Sequence, residues 1–344
     1  MLNFRGAVKI GLAGLCLMSS GIPAGADTIK AVRDRGKLLC PVAVGGFYGF
    51  SEVDDKGLWK GIDVDLCKAI ATAILGPGDN VTFSPVSWAQ RIPSLQSGAL
   101  DILTSQTHTM KRDTQLGVQF SLPYFHAATQ LLVAKELGAT SGKDLDGATI
   151  CVTSGTSTGV LVSNYLRGIG VEYTPLAFEA TSQAKEAFLA GRCDVFGGFG
   201  PVLATLRVRD AGDSEEFVIL PDLVAGEPTS VVVRQNDKPI LDVANYVISA
   251  LLEAEALGIT QVNVEQMRAS PGDNPRIKVL LGVTPFIGEN LKLDDGWAYN
   301  VIRDVGNYGE IYDRSLGENS PYKMDRNLNR LWTNGGMLYP IPLL

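Results

Sequence analysis

The chain has 344 residues, 45% hydrophobic and 19% charged, with 37 acidic residues against 30 basic ones and a formal net charge of −7. That length suits two domains of about 100–200 residues each. The acid excess and the lack of any basic block argue against a nucleic-acid partner.

Residues 1–26 read as a secretory signal. Arg5 and Lys9 give a basic start, Ile10 to Met18 an apolar core too short to span a bilayer, and Ala24-Gly25-Ala26 a small-residue cleavage site, so the mature chain is predicted to begin at Asp27. Leu15, not a small residue, precedes Cys16, and no lipid anchor is expected. No later segment is a long charge-free apolar run, which predicts a soluble mature protein.

Export leaves Cys40, Cys67, Cys151 and Cys193 in an oxidising compartment, where disulfides are expected. Four cysteines allow three pairings; chain order favours Cys40–Cys67 and Cys151–Cys193, one in each half. Metal and cofactor are not expected, because no CxxC occurs and the only histidines are His108 and His126.

Strand and helix signals then alternate. Lys37–Ala43 reads as a short apolar strand. Ile62, Leu66, Ile70 and Ile74 form one stripe of a helix over Gly61–Leu75. Val81–Val86 is a strand, Ile92–Gly98 a helical turn, Asp101–Thr104 a strand. This order predicts an α/β unit with a largely parallel sheet. Ala128–Ala134 is an uninterrupted strand suited to crossing between two halves.

A second α/β unit follows. Thr149–Thr153 is a strand, Ser154–Thr158 a polar turn opening a helix over Gly159–Leu166, and Ala184–Ala190 a helix. Cys193–Phe196 is a strand into a glycine-rich turn, Gly197-Gly198-Phe199-Gly200. Phe217–Leu220 and Ser230–Arg234 are strands, and Ile240–Leu257 is a long amphipathic helix. Two similar halves, joined by crossings near 127–130 and 228–231, place a ligand cleft between them at strand carboxyl ends. The tail from Pro285 carries Trp297, Tyr299, Tyr308, Tyr312, Trp332 and Tyr339, a density of aromatics that predicts packing on the first half.

The most informative segment is Leu100–Phe125. A strand opens into the hydroxyls of Thr104, Ser105, Thr107 and Thr109, with Arg112 close behind and an aromatic return from Phe120 to Phe125. A guanidinium fork beside hydroxyl and N–H donors suits a carboxylate. Read alone, Arg112 fits a solvated surface position equally well. The Ser154–Thr158 turn can serve as a plain N-cap or as an anion site at a helix N-terminus.

These blocks resemble the periplasmic solute-binding proteins of ABC amino-acid importers. The matching segments are Gly61-Ile62-Asp63-Val64-Asp65-Leu66 with Ile70-Ala71, Ile92–Gly98 with Asp101-Ile102, and Lys111-Arg112-Asp113 with Phe120–Tyr124. The two cysteine pairs and Val305-Gly306-Asn307-Tyr308-Gly309-Glu310 in a long tail are most similar to the general L-amino-acid branch, and the resemblance covers nearly all of residues 30–340. It implies a two-lobed periplasmic binding protein of type II, α/β, with hinge crossings and a C-terminal extension. Lobe 1 would be 27–128 with 230–344, and lobe 2 would be 129–229.

The resemblance also implies ligand-contacting roles. Arg112, Thr156 and Ser157 match positions that hold the α-carboxylate, and Ser105 and Thr107 match positions that bind the α-ammonium or carboxylate. Phe47, with Tyr48 and Phe50 in the same segment, matches the aromatic wall over the ligand side chain, and Trp88 a side-chain pocket position. Where the family usually has an aspartate for the ammonium, this chain has Phe199, and the acidic position before the aromatic wall is Val44. Glu227 and Asp194 are the candidates to replace it, Asp194 with a structural role as its simpler reading. Otherwise carbonyls and hydroxyls suffice, or the ligand lacks an α-amine.

The function expected is capture of an amino acid or related carboxylate between closing lobes, and delivery to an inner-membrane ABC permease by a monomer. The alternatives are a dehydratase-like periplasmic enzyme on the same scaffold, with His108 the histidine nearest the site, and a sensor subunit that uses the same closure.

Overall fold

The computed structural model describes residues 27–45, 47–210, 216–285 and 291–343. The signal sequence read over residues 1–26 lies outside them, as does Gly46. The first part comprises α1 (Thr28–Arg35), β1 (Leu38–Ala43), β2 (Glu52–Val53), β3 (Trp59–Lys60), α2 (Ile62–Leu75), β4 (Val81–Val86), α3 (Trp88–Gln96), β5 (Leu103–Thr107), α4 (Met110–Gln115) and β6 (Val118–Ala134). Then come β7 (Thr149–Thr153), α5 (Thr158–Gly168), β8 (Thr174–Phe178), α6 (Thr181–Leu189), β9 (Val195–Phe199), α7 (Gly200–Arg209), β10 (Phe217–Ile219) and β11 (Ala225–Arg234). Among the described residues the α-helices that follow are α8 (Lys238–Ala256), α9 (Val264–Ala269), α10 (Pro275–Leu280), α11 (Trp297–Val305) and α12 (Tyr308–Ser315).

Apolar residues all round α2 explain why it lies in the interior: Ile62, Val64, Leu66, Ala69, Ile70 and Ala73 are buried, and Cys40–Cys67 ties the helix to β1. Gly61 starts it at φ +121, where a Cβ would stand 2.4 Å from the Phe50 carbonyl oxygen; only glycine allows both. The large core cluster around α2 takes in α1, β1, α8, α11 and α12, with Trp297, Tyr299, Tyr308 and Tyr312 of the tail inside it. The tail therefore packs on the first half, as its aromatics predict. Trp332 and Tyr339 remain exposed.

Two further clusters form a second body. Leu131, Val133, Ile150, Val152, Val162 and Val195 pack on one face of its sheet, and Leu132, Cys151, Phe188, Phe196 and Leu203 on the other. Cys151–Cys193 links β7 to the approach of β9. Both disulfides are those favoured by chain order.

β1 and β4 pair in parallel, and the main sheet runs β5-β11-β6-β9-β7-β8, with β10 also on β6. It is mixed, not largely parallel: β7 is parallel to β8 and β9, whereas β6 is antiparallel to β9, β10 and β11. The cause is β6. It extends ten residues upstream of the predicted Ala128 start, because the aromatic return Phe120–Phe125 is itself strand, and at 17 residues it reaches about 55 Å. Its first half pairs with β11 in the first body and its second half with β9 in the other.

Gly197 and Gly198 lie within β9 rather than in a turn. A Cβ at Gly198 would stand 2.7 Å from Leu203 Cδ2 and one at Gly197 would stand 3.1 Å from Val162 Cγ2, so these glycines allow α7 and α5 to approach the sheet closely. Pro201 in the first turn of α7 suits the start of that helix, where its missing N–H costs nothing.

Candidate functional site

A cavity opens between the two bodies where β5, β9 and β11 meet the start of α5. Phe47, Trp88, Ser105, Thr107 and Arg112 line it from the first body, Thr156, Ser157 and Phe199 from the second, and Glu227 from β11.

Arg112 is placed by the short helix α4, whose N-cap Thr109 accepts from the Arg112 amide at 3.2 Å. Its half-buried guanidinium donates to the Thr107 carbonyl at 3.1 Å and reaches the Gly155 carbonyl of the other body at 3.4 Å. Burial pulls its pKa down and Glu227 pulls it back up.

Glu227 is 3% exposed. Its Oε2 accepts from Thr107 Oγ1 at 2.6 Å, and its Oε1 from Thr129 Oγ1. Ser157 Oγ lies 3.2 Å from both Glu227 Oε2 and Thr107 Oγ1, so its single proton can go to either. A buried carboxylate, held by hydroxyls from both bodies, thus shares the cavity with a half-buried guanidinium.

The α5 N-terminus faces the same cavity. Ser157 stands at its N-cap without bonding the first turn through its side chain, and Thr156 turns its hydroxyl back to the Thr153 carbonyl at 2.7 Å. Free N–H groups and the helix dipole there favour an anion. Gly155 has φ +75, and a Cβ would fall 2.5 Å from the Ala89 nitrogen, so the turn seats directly on the first turn of α3.

The apolar side of the cavity is aromatic. Phe47 meets Trp88 edge-on at 5.1 Å and stacks on Phe199 at 6.0 Å, and Trp88 Nε1 donates across the cleft to Thr181 Oγ1 at 3.2 Å. Phe50 is fully buried behind this wall against Phe125 and Phe199 and does not line the cavity. Tyr48 lines a smaller hollow beside it, its ring between Lys185 and the Arg209 guanidinium, 5.0 Å and 4.5 Å away. On the same rim Arg209 pairs with Glu52 at 2.8 Å, and Tyr322 of the tail donates to that carboxylate, also at 2.8 Å.

Other predicted positions lie elsewhere. Asp194 is exposed and accepts from the Thr149 amide at 2.7 Å, a structural contact at the far end of β7. Val44 is 43% exposed and outside the lining. His108 stacks on Phe120 at 4.3 Å, with Asp113 3.7 Å from its Nε2, and is not a lining residue. Gln106, Thr181 and Thr229 also line the cavity; Gln106 lies near the end of β5 and Thr181 begins α6, whereas Thr229 sits mid-strand in β11 and carries no such signal.

Among the described residues no group of three or more His, Cys, Asp or Glu is placed to hold a metal, and no helix is long and apolar enough to cross a membrane.

Residues 42–260 match the profile of the bacterial extracellular solute-binding proteins, family 3. Over 340 residues, 98% of both chains, the protein is 40% identical to the general L-amino acid-binding periplasmic protein of Rhizobium johnstonii. It is 36% identical to the glutamate/glutamine/aspartate/asparagine-binding protein of Rhodobacter capsulatus over 320 residues, 93% of this chain and 94% of that one. A solved periplasmic binding protein of an ABC transporter from Brucella ovis, with glutathione bound, is similar at a TM-score of 0.86 and 39% identity, over 93% of this chain and 100% of the other. With a polar cavity between two α/β bodies and full-length relatives of this kind, the chain belongs to the bacterial extracellular solute-binding proteins, family 3.

Proposed function

We propose that the cavity captures an L-α-amino acid, or a larger molecule carrying an α-amino-acid head group, for delivery to an inner-membrane ABC permease. The observation that carries this is the presence of buried Glu227 and half-buried Arg112 on the walls of one cavity. A zwitterion presents a carboxylate for the guanidinium and the α5 N-terminus, and an ammonium for Glu227. Glu227 thereby fills the role left open by Phe199, which joins Phe47 and Trp88 in a wall for the ligand side chain. The names of the relatives support the same class, and glutathione carries such a head group at its γ-glutamyl end.

In this reading lobe 1 (27–128 with 230–344) and lobe 2 (129–229) close about the crossings near 127–130 and 228–231. The protein works as a periplasmic monomer after cleavage following Ala26. Capture needs no bond to be made or broken, so the ligand is recovered unchanged.

Isothermal titration against the L-amino acids, glutathione and their deaminated 2-oxo analogues tests it. Binding confined to amine-bearing ligands is the expected result. Tighter binding of deaminated acids, or turnover of any ligand seen by mass spectrometry, would overturn it.

A further inference from the structure

Three buried polar side chains take no part in the cavity lining: Asp63 and Tyr124, each 1% exposed, and Arg91, fully buried. They come from α2, β6 and α3, and all converge on Thr104 and Ser105 of β5. Against β11, Gln106 pairs with Ser230 and Leu103 with Val232, so Thr104 and Ser105 together oppose the single residue Val231. That is a β-bulge, and Ser105 within it has φ +51, a left-handed conformation rare for a residue with a side chain.

A bulge leaves main-chain groups without ladder partners. Here the Ser105 N–H donates to Tyr124 Oη at 2.7 Å, and Tyr124 Oη donates to Asp63 Oδ1 at 2.6 Å. The Thr104 carbonyl accepts from Arg91 Nη1 at 2.8 Å and from Gln106 Nε2 at 3.2 Å. The same Arg91 guanidinium lies 3.9 Å over the Trp88 ring. Ser105, Gln106 and Trp88 are all cavity walls. An apolar core of equal volume would avoid desolvating an acid and a guanidinium, but it would leave the Ser105 N–H unpaired and the Thr104 carbonyl with Gln106 as its remaining donor.

We propose that Asp63, Tyr124 and Arg91 are positioning residues for ligand binding: they hold the Thr104–Ser105 bulge in its left-handed turn and fix the Trp88 ring above Arg91, setting two walls of the cavity from behind. This rests on the reading of the cavity as the ligand site. It also gives a task to Asp63 of the Gly61–Leu66 motif, which is not itself a lining residue.

The test uses the full chain with Tyr124→Phe, Asp63→Asn and, as a control on the site, Arg112→Ala. Amide hydrogen exchange across residues 103–107 is followed together with affinity for the L-amino acids and glutathione. Tyr124→Phe is expected to speed exchange at Ser105 and to weaken binding about tenfold, the scale of one buried amide losing its partner, while the melting transition stays cooperative. Asp63→Asn keeps the tyrosine oxygen over the Ser105 amide, and a smaller loss of the same kind is expected; it also serves if Tyr124→Phe fails to fold. Unchanged exchange at Ser105, or faster exchange with affinity kept within about twofold, overturns the proposal. Binding that survives Arg112→Ala overturns the site reading instead, and the exchange result still decides whether the network holds the bulge.

Discussion

In the proposed site Glu227 and Arg112 carry the recognition, and they differ in how far the sequence reveals them. Arg112 stands five residues from Thr107 in a stretch of hydroxyls that is legible on inspection. Glu227 is 120 residues from the Thr107 hydroxyl it accepts from, and it arrives only because β11 lies antiparallel to β5 with Thr229 opposite Thr107. No local pattern distinguishes it from a surface acid, and its burial is the distinguishing fact. Replacing Glu227 with Gln keeps the shape and removes the charge. Titration is expected to show affinity for amine-bearing ligands falling by about 2–5 kcal/mol, with the 2-oxo analogues affected far less. Arg112→Ala should cost a similar amount for every ligand, amine or not, because the carboxylate is common to all. Equal losses for both ligand classes in Glu227→Gln would remove Glu227 from the ammonium site.

Most strands and helices follow from periodicity. Val81–Val86 and Thr149–Thr153 are strands over the ranges predicted, and α2 begins one residue inside its predicted range. Where the structure departs from local periodicity, packing against neighbouring elements is the cause. Glycines signal turns when read alone, yet Gly197 and Gly198 are in β9 because helices press on it from both sides. Gly198→Ala should destabilise the protein by about 1–3 kcal/mol through overpacking on Leu203, measured by urea unfolding. No change in midpoint would show that Leu203 moves aside freely. The crossing strand is another such case. At its centre His126 donates its amide to Asn329 at 2.7 Å and accepts from it at 2.9 Å, so one tail side chain occupies both main-chain groups. Nothing in either segment announces that pairing across 203 residues.

For the molecule as a whole, the two-body plan and the docking of the tail were legible, the first from repeated α/β order and the second from aromatic density. The rim between the bodies was not. There Glu52, 4% exposed, is bonded by Arg209 of the second body and by Tyr322 of the tail. These residues lie 157 and 270 positions away along the chain. The contact exists only when the bodies are together, so it adds to closure. Arg209→Ala removes the nearer cation from buried Glu52 and leaves it Lys60 at 3.8 Å and Tyr322, and should weaken ligand binding by about 1–3 kcal/mol, mainly through faster release. Stopped-flow tryptophan fluorescence measures this. An unchanged release rate would separate the rim from closure.

In the proposed reading a buried acid and a half-buried guanidinium grip the two ends of one zwitterion. A crystal structure of the protein with a bound L-amino acid tests it most directly. The ligand nitrogen is expected within hydrogen-bond distance of the Glu227 carboxylate, and the ligand carboxylate on Arg112 and the first turn of α5. A ligand seated with its amine away from Glu227, that carboxylate still held by Thr107 and Thr129 alone, would contradict it.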